Sequence, residues 1–192
     1  MNNRFEQNQY LIRKKVLSVL GAKFHIYDNS GQVIMYSHMK AFKLKEDIRI
    51  YTGEDMTEEL LNIHARSVID FSATYDITDA KTGEKLGALR RKGLKSIMKD
   101  EWIILDKDDM EIGTIKEDSL GLALLRRFLS NLIPQKFDVE IKGIKICQFK
   151  QKVNPIVSKL DIDFSTDTGN ILDRRFGIAI GVLLCAIEGR QN

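Results

Sequence analysis

Proline is almost missing from this chain, with only Pro134 and Pro155, and no Ser-, Gly- or Pro-rich tract interrupts it. Nothing in the composition therefore marks a linker between two units. One domain over residues 1–192 is the expectation, and 43% hydrophobic residues suffice for its core. Cysteine is as scarce. Cys147 and Cys185 form no CxxC pair, and Cys185 lies inside an apolar run, so both read as reduced core thiols. That excludes a disulfide framework and fits a cytoplasmic protein. Excess charge is lacking too, since 30 Lys plus Arg against 27 Asp plus Glu leave only +3. Wholesale nucleic-acid binding is not expected from so small a surplus, and any basic surface must be local. The first ten residues, MNNRFEQNQY, hold no apolar core of a secretory signal.

Chemical motifs are missing as well. There is no Gly-rich phosphate loop, no G-x-S-x-G and no cysteine with a placed base. His25, His38 and His64 fall on three different predicted strands with no Cys or carboxylate at ligand spacing, so no metal site is expected. Every acidic cluster has an adequate reading as a turn or a solvated face. The chain reads as non-enzymatic, without cofactor or metal.

What is present is alternation. FDVEI (Phe137 to Ile141) and LDIDF (Leu160 to Phe164) place apolar residues at every second position with carboxylates between, the pattern of antiparallel strands with one dry and one wet face. FHIYDNSGQVIMY, YDITDAKTGEKLGAL and WIILDKDDMEIGTI each put an Asp-containing turn between two such strands, with FDVEIKGIKICQF a shorter version. Each reads as a hairpin. With QYLIRK, IRIY and LLNIHARS the expectation is about twelve strands over residues 9–164. DSLGLALLRRFLSNLIP differs: Leu122, Leu125, Phe128, Leu129, Leu132 and Ile133 recur at helical spacing, Asp118 or Ser119 caps the start and Pro134 ends it. A surface helix over about 119–133 is predicted there.

The run from Phe176 to Ile187 carries no polar side chain. Its length as a helix is about 18 Å, against a hydrocarbon core about 30 Å thick, so it is too short to span a membrane. Asp173 is a good N-cap and Gly189 a good C-terminal stop, framing one helix over about 174–188. A helix apolar on every side must be enclosed by protein. Side chains alone fill an eight-stranded barrel; about twelve strands leave a wider lumen, and a helix about 10 Å across suits it. The predicted fold is thus mainly β, a closed antiparallel barrel of about twelve strands around a buried C-terminal helix, with Phe176, Ile180, Leu183, Leu184 and Ile187 as the plug. Gly177 and Gly181 form a GxxxG, which in a packed lumen lets bulky barrel side chains approach.

The order FHIYDNSGQV, YDITDAKTGEKLGALRRKGL, EWIILDKDDMEIGTIKED, ALLRRFL and LDRRFGIAIGVLLCAIE resembles the LURP-one-related proteins of the tubby C-terminal-like superfamily, which also contains the phospholipid scramblases. The resemblance covers nearly the whole chain and implies the same barrel threaded by a hydrophobic helix. Tubby domains bind phosphoinositides, scramblases are linked to lipid movement and calcium, and most LURP-one-related members have no established activity, so the resemblance implies fold more than function.

Three candidate surfaces follow. KLGALRRKGLKSIMK, Lys85 to Lys99, holds six cations and no acid in fifteen residues, a local positive potential able to hold phosphate head groups. Arg90, Arg91, Lys92 and Lys95 are its centre; the bland reading is an edge strand kept from aggregating by its charge. Arg126 and Arg127, beside Leu124, Leu125, Phe128 and Leu129 on the surface helix, suit an anionic bilayer surface, although such a helix more often packs on the barrel. The scramblase likeness directs attention to DIDFSTDTGNILD, where Asp161, Asp163, Ser165 and Asp167 have calcium-loop spacing. Thr166 stands where glycine and Leu172 where glutamate is needed, so the segment reads as strand and turn. Arg174 and Arg175 open the apolar helix, where cations oppose its dipole, and should pair with carboxylates of the barrel rim.

A non-enzymatic module recognising anionic phospholipid head groups or another phosphate-bearing partner is the functional expectation, at a cytoplasmic or membrane-peripheral location. A protein-interaction scaffold is the alternative, and a scramblase-like role a third.

Overall fold

The computed structural model describes residues 3–15, 21–40, 47–66, 73–92, 101–117, 134–152 and 157–188. After a 3-10 turn at Asn3–Phe5 come β1 (Gln9–Lys15), β2 (Gly21–Tyr27), β3 (Val33–Lys40), β4 (Asp47–Tyr51), β5 (Glu59–Ala65) and β6 (Thr74–Asp79). Then follow β7 (Lys85–Arg91), β8 (Glu101–Leu105), β9 (Glu111–Glu117), β10 (Lys136–Ile141), β11 (Ile144–Lys152), β12 (Ser158–Asp163) and one helix, α1 (Arg174–Glu188). Each strand pairs antiparallel with its chain neighbours, and β12 returns to pair with β1, closing the barrel. The expected strands and the central helix are thus present. The predicted surface helix, with Arg126 and Arg127, lies outside the described residues.

The turns at one end of the barrel form as their residues require. Asp28 accepts the backbone N–H groups of Ser30 and Gln32 at 2.9 Å each, and Asp106 those of Asp108 and Met110 at 2.9 Å each. Asp79 does the same for Lys81 and Thr82 at 3.0 Å. Between β10 and β11, Lys142 and Gly143 both have positive φ, 50° and 78°, as a two-residue hairpin turn matching the strand twist demands.

Alternation decides the core. On β10 the buried residues are Phe137, Val139 and Ile141, and on β12 Leu160 and Ile162. These inward side chains and α1 form one apolar cluster. Phe176, Ile180, Leu183 and Leu184 are buried in it, and Ile187 packs against it partly exposed. Each buried side chain of this size contributes about 1.5–3 kcal/mol. Glycine makes the fit possible: a Cβ on Gly177 would stand 2.5 Å from the Phe164 ring, and one on Gly181 2.6 Å from the Ile162 Cδ1. The GxxxG therefore serves barrel-to-plug packing. Among the described residues no helix is long and apolar enough to cross a membrane.

Candidate functional site

Because α1 and the inward side chains occupy the lumen as a continuous apolar cluster, polar chemistry belongs to the outer surface and the barrel ends. At the entry of α1, Asp173 caps the helix by accepting the Arg175 N–H at 2.8 Å. Arg175 reaches Asp79 of the β6–β7 turn at 2.8 Å, the expected rim pairing. Arg174 turns inward instead. Its Nη1 donates to Asp167 at 2.7 Å and its Nη2 to Asn170 at 3.1 Å, while its guanidinium lies 4.4 Å from the Phe164 ring centroid. The opposition of these cations to the helix dipole, about 0.3–1 kcal/mol each, is offset by those carboxylates.

The acidic segment before α1 divides among three tasks. Asp161 pairs with Lys152 across the outer face at 2.9 Å, Asp163 accepts the Ser165 N–H at 2.9 Å, and Asp167 is buried on Arg174. They converge on no common point. Among the described residues no three of His, Cys, Asp and Glu form a group able to hold a metal ion. His25, His38 and His64 stand on β2, β3 and β5. The partner of His25 is Glu54, at 2.7 Å from a turn 29 residues away, a distance no local spacing reveals.

Arg90 and Arg91 end β7 and Lys92 follows it, while Lys95 lies outside the described residues. Neighbouring strands bring acids to this cationic run. Arg90 pairs with Glu111, Lys92 with Glu101 at 3.0 Å, and Lys85 with Asp109 at 2.7 Å. Arg91 lies over the Trp102 ring, 5.8 Å from its centroid. Arg66 joins Asp76 and Asp109 beside Lys85. Hydrogen bonds from Arg66 and Lys85 hold the Asp109 carboxyl below its ordinary range; burial raises Asp76, but the Arg66 hydrogen bond and charge outweigh it.

Other cations, which local sequence does not advertise, lack such partners. Lys23, Lys136, Lys150 and Lys159 have no carboxylate within ion-pair distance among the described residues. They come from both ends of the chain and share no charge run.

The sequence model of the LURP-one-related family matches residues 33–187. No curated protein gives a significant match to the chain. The barrel around a buried helix is consistent with placing that family among the tubby-like folds. Since the match runs from the start of β3 to the last turn of α1 and takes in the plug and ten of the twelve strands, this chain belongs to the LURP-one-related family.

Proposed function

We propose that the protein is a non-enzymatic binding module that takes an anionic, phosphate-bearing partner on the outer surface of its barrel, at a membrane-peripheral position on the cytoplasmic side. The observation supporting this reading is that the lumen is filled while lysines that form no ion pair among the described residues stand outside it. Arg90, Arg91, Lys92 and Lys95 remain candidate contacts. Their pairing does not disqualify them, because exposed ion pairs contribute only about 0–1 kcal/mol and exchange readily for phosphate. The test is co-flotation of the protein with vesicles of neutral lipid alone and of neutral lipid mixed with an anionic phospholipid. Binding confined to the anionic vesicles is expected; equal binding to both, or none, sinks the reading.

One observation favours a protein partner as the second reading. The exposed large apolar residues Val33, Met56, Met110, Ile144 and Ile171 all lie at the barrel end that carries the described turns. Under that reading a Met110→Lys, Ile144→Lys double variant loses a stoichiometric partner from native purification and keeps its melting temperature. Retention of the partner by that variant counts against it.

A further inference from the structure

The outer surface of the barrel has two unlike halves. From β4 to β9 the cations alternate with acids: Arg49 pairs with Asp47 and Glu59, Arg66 with Asp76, Lys92 with Glu101. From β10 through β12 to β1 and β2 cations also meet one another, although Lys150 faces Asp161 on its β12 side. Lys136 is the direct cross-strand partner of Lys150, Lys152 of Lys159, and Lys159 of Arg13. All occupy outward positions, since their strand neighbours Phe137, Phe149, Leu160 and Ile12 are buried. Within this row, Asp161 answers Lys152, and Arg13 lies 5.5 Å from the Tyr27 ring centroid. Asp138 is engaged by Lys145 at 2.7 Å.

Like charges directly opposite on paired strands destabilise a sheet. Three such juxtapositions in four adjacent strands therefore work against folding. Asp161 stands opposite Lys150 and Asp138 feels the charge of Lys136, yet these two acids face five cations, and among the described residues Lys136, Lys150 and Lys159 have no carboxylate within ion-pair distance. We infer that this row, Lys136–Lys150–Lys152–Lys159–Arg13 with Lys23 at its margin, is the docking surface for a membrane rich in anionic phospholipids. The assignment rests on the anion-binding reading above and gives it a place. Charge complementarity supplies the attraction, and shape and residue type select the occupant. The row crosses five strands, about 19 Å at a strand spacing near 4.8 Å, on the convex wall of a closed barrel. A convex wall meets a plane of head groups tangentially. Lysine predominates over arginine, and its flexible point charge suits a fluid array of phosphates better than the fixed geometry of one bidentate ligand. Nucleic acid fits less well, because among the described residues no helix or ribbon of this row projects toward a groove.

The test uses the full chain with large vesicles of phosphatidylcholine alone or with about 30% phosphatidylserine, at low salt, where surface charge is least screened. Lys150→Gln with Lys159→Gln should lower affinity for the anionic vesicles about thirtyfold, at about fivefold per lysine. Arg49→Gln with Arg66→Gln, on the half where cations alternate with acids, should change it less than about threefold, since their charge is already balanced by neighbours. The row variant should melt within a few degrees of wild type, because the like-charge contacts it removes at Lys136, Lys152 and Arg13 offset the loss of Lys150 opposite Asp161, so loss of binding is not loss of fold. If the wild type fails to bind anionic vesicles, the anion-binding reading itself falls. If it binds and the row variant binds equally, the reading stands and this site does not. Tighter binding of wild type to a short duplex DNA than to the vesicles, lost in the row variant, reassigns the surface to nucleic acid and overturns the membrane assignment.

Discussion

Replacing Gly177 by alanine should destabilise the protein, although alanine is the better helix former. In an exposed helix the change gains about 1 kcal/mol. Here the new Cβ would stand 2.5 Å and 2.6 Å from two ring carbons of Phe164 and 3.3 Å from a methyl of Leu172. That ring has nowhere to go. It is fully buried, Arg174 lies against its face at 4.4 Å, and Tyr10 meets it edge-on with centroids 6.1 Å apart. Overpacking costs about 1–3 kcal/mol, and a locked aromatic neighbour puts Gly177→Ala near the upper figure. The net loss is then about 2 kcal/mol, or a melting temperature lower by about 4–8 °C for a domain of this size. Gly181→Ala is the internal comparison, because its Cβ meets the terminal methyls of Ile162 and Ile12 at 2.6 Å and 3.0 Å. Those tips can rotate, so its two opposing effects should nearly cancel. Thermal melts followed by circular dichroism read both variants. A Gly177→Ala protein that melts at or above wild type would refute the plug geometry, since an unpacked glycine face is the condition under which alanine stabilises.

Leu184→Asp places a carboxylate where the leucine is 1% exposed, and the expected loss of several kcal/mol against a total of about 5–15 leaves a molten or insoluble product; a soluble variant with a cooperative melt near wild type contradicts this. Arg174→Met should cost about 3–5 kcal/mol in urea unfolding, because it strands the Asp167 carboxylate, whose side chain is 0% exposed; a shift under 1 kcal/mol, well below that range, argues against a buried lock. Burial raises Asp79, but hydrogen bonds from Thr82 and Arg175 outweigh it and lower its folded pKa. Its stabilising contribution is therefore present above the unfolded value near 3.9 and lost as pH falls through the lower folded one. Urea midpoints of wild type should drop more steeply below about pH 4 than those of Asp79→Asn, and parallel slopes would contradict the assignment. Burial pushes the Cys147 thiol up, so a thiol reagent should label it only at the rate of unfolding; fast labelling of the native protein would refute its enclosure.

Local chemistry was enough for the elements of this fold. Period-two alternation placed Phe137, Val139 and Ile141 inside, the Asp turns closed their hairpins, and Asp173 began a helix whose uniform apolarity required an enclosure. Those signals sit within a few residues of one another, so they are legible without coordinates. Surface electrostatics are not local in that sense. Lys85 to Lys99 looks cationic in the sequence because its counter-charges, Glu101, Asp109 and Glu111, arrive from the next hairpin. Asp167 looks like a turn residue until the fold buries Arg174 upon it. The unbalanced row is invisible for the opposite reason: Arg13 and Lys159 are about as far apart in the chain as the barrel strands allow, and only closure of β12 on β1 sets them side by side. Charge interacts through space over several ångströms, whereas sequence records only order, so which cations are answered and which are left open was decided by the closing of the barrel.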